Sequence, residues 1–248
     1  MVTQSHAHPI PLLLTRPEPQ SAEFAQEMSA RFGNQLALIK TPLLAPEFYA
    51  PPLPDGPFSA LIITSKTGVA AYLKLGMSAQ ILPKVVYCVG DSTAMEAFRA
   101  GLQPVCTATD SRALIRDILA QRPSGRLLHL RGRDARGDIA ESLSNNGTDT
   151  KMVIVYAQER QSLTGQAEQV LRAGDPVLVP LFSARTASIF ASEMVRVGGI
   201  SPLYLAAISD DVALEAGAIP AQVKVALRPD AGAMHDAVAL LMAELLHA

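Results

Sequence analysis

The sequence predicts an α/β protein of two similar lobes, each a parallel sheet with flanking helices, joined by a two-stranded linker. Short apolar runs rich in Leu, Ile and Val alternate with helix-period segments that open on Ser, Thr, Asp or Pro and close near Gly. That alternation marks repeated βα units and a parallel sheet. The chain also repeats itself: residues 61–69 read like residues 179–187. Setting Arg16 against Arg131, Ser65 against Ser183, Gly90 against Ser209 and Asp110 against Asp230 keeps the offset at about 115 to 120 positions, so the whole half recurs. A length of 248 residues accommodates two such halves. Two similar lobes imply a cleft between them.

Each half holds four βα units. In the first half the strands fall at residues 11–17, 60–65, 85–92 and 105–110, and their helices run through Phe32, Lys74, Arg99 and Leu119. In the second half they fall at 126–132, 177–183, 203–209 and 223–229, each leading into a helical segment. Two strand-like segments break the pattern at equivalent places, 36–44 and 151–157. They read as linkers between lobes. The first leads into a Pro-rich stretch, 46–57, that predicts an extended connection.

Hydrophobic residues make up 49% of the chain, enough for real cores. The longest purely apolar stretch near the C-terminus, 237–242, falls well short of the roughly 18 residues that span a bilayer. No cationic segment leads into a long apolar one at the N-terminus, so the expected place is the cytoplasm. A formal net charge of −2 argues against a nucleic-acid binder with a broad basic surface. Anionic ligands must then be held locally, by helix N-termini and a few arginines. Cys88 and Cys106 lie in apolar strand-like runs and read as small core hydrophobes. The five histidines are scattered, with His6 and His8 in a polar N-terminus where metal binding would be adventitious; no metal is expected.

No Gly-x-Gly-x-x-Gly opens a helix, and neither a phosphate-binding Gly-Lys loop nor a Gly-x-Ser-x-Gly elbow occurs. What remains is a set of strand-to-helix turns rich in hydroxyls and small residues: 64–67, 90–93, 131–133 and 183–186. In an open parallel sheet these turns lie at the carboxyl ends of the strands, where ligands bind and helix N-terminal amides are unpaired. Plain helix capping is the competing reading, because Ser, Thr and Asp are preferred caps. Arg16, Arg131, Arg133, Arg185 and Arg228 each sit at or just past a strand end. Solvated charge is the competing reading there. Tyr156 ends the second linker segment; its ring could pack as core, yet its position puts the hydroxyl near the junction of the lobes.

Taken in order, Pro-Leu-Leu-Leu-Thr-Arg-Pro (11–17), Leu-Ile-Ile-Thr-Ser-Lys-Thr-Gly-Val (61–69), Val-Gly-Asp-Ser-Thr-Ala (89–94), Leu-His-Leu-Arg-Gly (128–132), Val-Tyr (155–156), Phe-Ser-Ala-Arg-Thr-Ala (182–187) and Ala-Leu-Arg-Pro (226–229) closely resemble the uroporphyrinogen-III synthases. The resemblance covers almost the whole chain, and the order and spacing of its short motifs are the specific part. It implies a discontinuous lobe of residues 1–35 plus 160–248, a second lobe of residues 42–150, and linker strands at 36–41 and 151–159. It also implies a reaction: hydroxymethylbilane loses water, inverts its last pyrrole ring through a spirocyclic pyrrolenine and closes to uroporphyrinogen III. No cofactor is implied.

By the same resemblance Tyr156 is the first candidate for general acid. Arg16, Thr64, Ser65, Lys66, Gly90, Ser92, Thr93, Arg131, Gly132, Ser183 and Arg185 would bind the substrate's carboxylates. The expected partner is a linear tetrapyrrole, with no nucleic acid and no membrane. A monomer is expected, with transient contact with the preceding pathway enzyme. One turn departs from the family: Ser209, Asp210, Asp211 and Val212 stand where a Gly and threonines are usual. Two carboxylates there should repel a polyanion unless the turn lies off the binding path. The alternative reading is a non-catalytic two-lobed binding or sensory protein for a tetrapyrrole-like molecule. A flavodoxin-like or receiver module is disfavoured, because no acidic cluster with a partner lysine and no aromatic pair for a flavin is placed at the strand ends.

Overall fold

The computed structural model describes residues 8–18, 20–74, 76, 82–135 and 137–247, without the side chains of Cys106 and His247. His6 and the Cys106 side chain therefore lie outside the described residues. In chain order the first elements are β1 (Ile10–Leu14), α1 (Gln20–Phe32), β2 (Leu36–Lys40), β3 (Leu44–Phe48), β4 (Phe58–Ile63) and α2 (Lys66–Lys74). Next come β5 (Val85–Val89), α3 (Asp91–Arg99), β6 (Gln103–Ala108), α4 (Ser111–Gln121), β7 (Arg126–Gly132), α5 (Ile139–Asn145) and β8 (Thr150–Arg160). The chain closes with α6 (Gly165–Ala173), β9 (Val177–Leu181), α7 (Ala184–Val197), β10 (Leu203–Ala207), α8 (Asp210–Ala216), β11 (Gln222–Val225) and α9 (Ala231–His247). This is a mixed α/β chain of parallel sheets and helices. It divides into two compact units, residues 1–45 with 160–248, and residues 46–159.

The first unit carries a five-stranded sheet in the order β11-β10-β9-β1-β2 with parallel pairing throughout. Alternation along β1 sends Leu12 and Leu14 to one face and Leu13 to the other. Leu12 and Leu14 pack against Phe24 and Met28 of α1 and Met234, Val238 and Leu241 of α9. Leu13 joins Leu171 of α6, Phe190 and Met194 of α7 and Val212 of α8. The helices after β1 and β9 thus leave to opposite faces, and the strand order reverses between these two neighbours.

The second unit carries a six-stranded sheet in the order β3-β8-β7-β4-β5-β6. Strands β8, β7, β4, β5 and β6 pair in parallel. Leu61 and Ile63 face Val69 and Tyr72 of α2 and Ala97 of α3. Ala60 and Ile62 face Leu114 and Ile118 of α4 and Ile139 and Leu143 of α5. The reversal here lies between β4 and β7. Cys88 is buried in β5.

Residues 36–41, expected as a linker strand, instead provide β2, which pairs with β1 over its whole length and buries Leu36 and Ile39 in the first unit. The strand-like run 36–44 is broken at Pro42, which has no N–H to donate. On either side of it Thr41 N donates to Leu14 O at 3.0 Å and Leu43 N to Thr15 O at 3.1 Å. The chain changes unit within β3, after Ala45, and again within β8, after Glu159. At the second change Glu193 of α7 anchors the arriving chain. Its side chain, 2% exposed, accepts from Arg160 Nη2 at 3.1 Å, Leu163 N at 3.1 Å and Arg196 Nη2 at 2.7 Å. The Arg196 guanidinium chiefly, with the Leu163 amide and Arg160, pulls the Glu193 carboxyl down to about 2 against the opposing effect of burial.

Candidate active site

In a doubly wound sheet the helices diverge where strand order reverses, leaving a crevice at the carboxyl ends of the two central strands. In the second unit those ends are the turn after β4 and the end of β7. Ser65 occupies the first and Gly132 the second. Ser65 Oγ accepts from Gly68 N at 3.0 Å, so it caps the first turn of α2. The same oxygen lies 2.9 Å from Tyr156 Oη of β8. The Tyr156 ring lies over Gly132, where a Cβ would stand 2.6 Å from two ring carbons. Ser65, Gly132 and Tyr156 therefore form one cluster at the reversal, with Gly132 buried and the two hydroxyl-bearing side chains half-buried.

The loop after β7 is tied down from several sides. Arg131 gives Nε to Gly132 O at 3.2 Å, Nη1 to Gly137 O at 3.2 Å and Nη2 to Ala135 O. Three of its five donors are thereby spent on its own loop. Arg133 N donates to Tyr156 O at 2.9 Å, and the Arg133 guanidinium pairs with Glu159 while also donating to Tyr49 Oη at 3.3 Å. Glu159 holds the Arg133 charge and raises its pKa. Asp134 accepts from Gln158 N at 3.3 Å. The end of β7 and the end of β8 are so locked together, beneath the phenol.

Other expected residues of this unit lie around the cluster. Thr64 and Lys66 flank Ser65 and are half-buried. Gly90 precedes α3 with φ of 77°, a left-handed conformation that suits glycine, and its N donates to Ala108 O at 2.8 Å. It lies at the end of β5, one strand beyond the reversal. Ser92 is exposed there, whereas Thr93 is buried in the first turn of α3. The helical turn points that side chain inward.

In the first unit the reversal brings Arg16 and Ser183 to neighbouring strand ends. The Arg16 guanidinium stacks 4.2 Å from the Phe182 ring, which meets Phe24 edge-on at 5.2 Å. Burial lowers the Arg16 pKa, against the attraction of Glu23. Ser183 caps α7, accepting from Thr186 N at 3.1 Å and donating to Thr186 Oγ1 at 2.8 Å. Arg185 lines a surface groove with Arg160, Ser188, Ser192 and Glu215. At the unusual turn, Asp210 and Asp211 are exposed in the first turn of α8, where the helix N-terminus favours negative charge. Val212 is buried in the core and takes no part in the surface.

His129 of β7 is 2% exposed, and neither ring nitrogen has a hydrogen-bond partner. Burial first, then the Arg131 charge, push its pKa down to about 4, with Asp138 opposing. Among the described residues no three His, Cys, Asp or Glu side chains cluster as a metal site, and no helix is long and apolar enough to cross a membrane.

The family model described as uroporphyrinogen-III synthase HemD matches residues 39–236. The chain belongs to the uroporphyrinogen-III synthase family. The resemblance read from the short motifs thus holds over most of the sequence. No curated protein matches. Among solved structures, uroporphyrinogen-III synthetase from Helicobacter pylori is 18% identical with a TM-score of 0.57, over 94% of this chain and 99% of that one. This likeness supports the α/β fold. Uroporphyrinogen III synthase from Thermus thermophilus is 15% identical with a TM-score of 0.48, over 95% of this chain and 99% of that one. For a member of the uroporphyrinogen-III synthase family, the sequence reading missed Phe182 as the platform under Arg16 and Gly132 as the floor under Tyr156. An aromatic just before a capping Ser, and a glycine one strand from a tyrosine, were the available signals.

Proposed function

We propose that this chain is a uroporphyrinogen-III synthase that converts hydroxymethylbilane to uroporphyrinogen III. The substrate's terminal hydroxyl leaves as water, the last ring inverts through a spirocyclic pyrrolenine, and carbon–carbon bond formation closes the macrocycle. Elimination of water with ring closure is redox-neutral, so the step assigns no role to an electron carrier. The demand is for a proton at the departing hydroxyl and for positioning of a flexible chain. Tyr156 is the proposed general acid.

The observation that carries the reading is the Ser65–Tyr156 hydroxyl pair, set where a doubly wound sheet reverses and within the matched residues. Around it, Thr64, Lys66 and the first turns of α2 and α3 are proposed to receive acetate and propionate groups. Arg16 and Ser183 are proposed to do so on the first unit. Arg131, engaged with its loop, is proposed to shape the site rather than grip a carboxylate. A lyase of this kind working as a cytoplasmic monomer needs neither metal nor cofactor. Incubation with hydroxymethylbilane, followed by separation of the oxidised porphyrin isomers, tests the proposal.

A further inference from the structure

Strand β7 lies between β4 and β8, so the turn after β4 and a side chain on β8 meet only by crossing the end of β7. Two strand spacings amount to about 9–10 Å. Tyr156 bridges that gap by lying flat over position 132. A Cβ there would stand 2.6 Å from Cε2, 2.6 Å from Cζ and 2.9 Å from Oη of Tyr156, closer than such atoms can approach. The backbone at Gly132 is not in the left-handed region, unlike Gly90 and Gly137 at φ 77°. Glycine at 132 is therefore required by the ring and not by the turn.

On the far side, Ser65 is itself fixed. Its oxygen accepts the Gly68 amide at 3.0 Å. A Cβ on Gly68 would meet Ile63 Cγ2 at 2.9 Å and Ser65 Oγ at 3.3 Å, so α2 begins hard against the strand end. With one lone pair taken by that amide, the Ser65 proton can be given to Tyr156 Oη, leaving the phenol's own proton directed elsewhere.

We propose that Gly132 and Ser65 are positioning residues for Tyr156: Gly132 is the slot that lets the ring cross β7, and Ser65 donates to Oη so that the phenol proton faces the departing hydroxyl. The carboxylate-binding role expected for both from the family resemblance is then not theirs. This inference rests on Tyr156 being the acid, so its test has arms that do not depend on turnover.

The first arm labels the protein with [13Cζ]tyrosine and assigns Tyr156 by the resonance lost in Tyr156→Phe. Gly132→Ala and Ser65→Ala should move the Tyr156 resonance and leave those of Tyr72 and Tyr204 in place. The second arm is a thermal double-mutant cycle: Gly132→Ala should lower the midpoint of the wild type but not that of Tyr156→Ala. In turnover, Gly132→Ala should lower kcat about tenfold to a hundredfold with KM little changed, and Ser65→Thr should restore what Ser65→Ala loses. An unmoved Tyr156 resonance in Gly132→Ala, or an equal midpoint loss in both backgrounds, overturns the proposal. If the wild type yields no type III product the enzymatic reading fails, and the resonance and thermal arms still decide the positioning.

Discussion

Ser65 Oγ and Tyr156 Oη, 91 residues apart in sequence, lie 2.9 Å from each other across the end of the strand that separates theirs. With Ser65 as the proposed donor, the phenol keeps its own proton for another partner, and removing the hydroxyl takes away both that proton and the acceptor of the Ser65 hydroxyl. Tyr156→Phe should therefore lower kcat by about a hundredfold or more, in the range of general acid catalysis. Far-ultraviolet circular dichroism should be unchanged. Unaltered turnover of hydroxymethylbilane would remove Tyr156 from the mechanism.

The carboxylates at Asp210 and Asp211 face solvent in the first turn of α8, one strand away from the reversal in their sheet. Their place at a helix N-terminus gives them a structural role that needs no ligand. Replacing both, as Asp210→Ser with Asp211→Thr, should leave KM within about twofold of wild type and lower the thermal midpoint slightly. A KM several-fold lower in the double variant would put this turn on the substrate's path.

His129 makes stability depend on pH in a definite window. Its folded pKa, near 4, lies below the ordinary value of 6.5. Between those values the unfolded chain takes up a proton that the folded chain refuses. The contribution is thus complete above about 6.5 and is lost as pH falls toward 4, by about 3 kcal/mol in all. His129→Leu should flatten the fall in unfolding midpoint between pH 6.5 and 4. Parallel curves for the two proteins would contradict the assignment.

Glu193 is buried while its arginine partners are half-exposed. Removing the carboxylate leaves the Leu163 amide without an acceptor, so Glu193→Ala should cost about 2–3 kcal/mol in denaturant unfolding. Arg196→Ala should cost markedly less, because Leu163 and Arg160 keep their acceptor. Equal losses in the two variants would show that the ion pair, not the buried amide, sets the energy.

The βα units were legible because each carries its own signal: an apolar run, a capping residue and a following glycine or proline. Ser65 and Ser183 are caps as well as proposed site residues, so local chemistry alone marked them. The split of residues 36–44 into two strands was not legible, since both pieces are apolar. What separates them is Pro42 and a hydrogen bond from Thr164 N to Thr41 Oγ1, 123 residues away. Nor could the sequence assign Arg131 to its own loop, because an arginine past a strand looks the same whether it grips a ligand or three carbonyls. Thr93 and Val212 turned out to face the core, which depends on where their helices pack.

The most direct test supplies hydroxymethylbilane to the purified protein, oxidises the products and resolves them by isomer. The account predicts type III porphyrin in excess over the type I isomer that forms from the same substrate without ring inversion. Type I alone would contradict it.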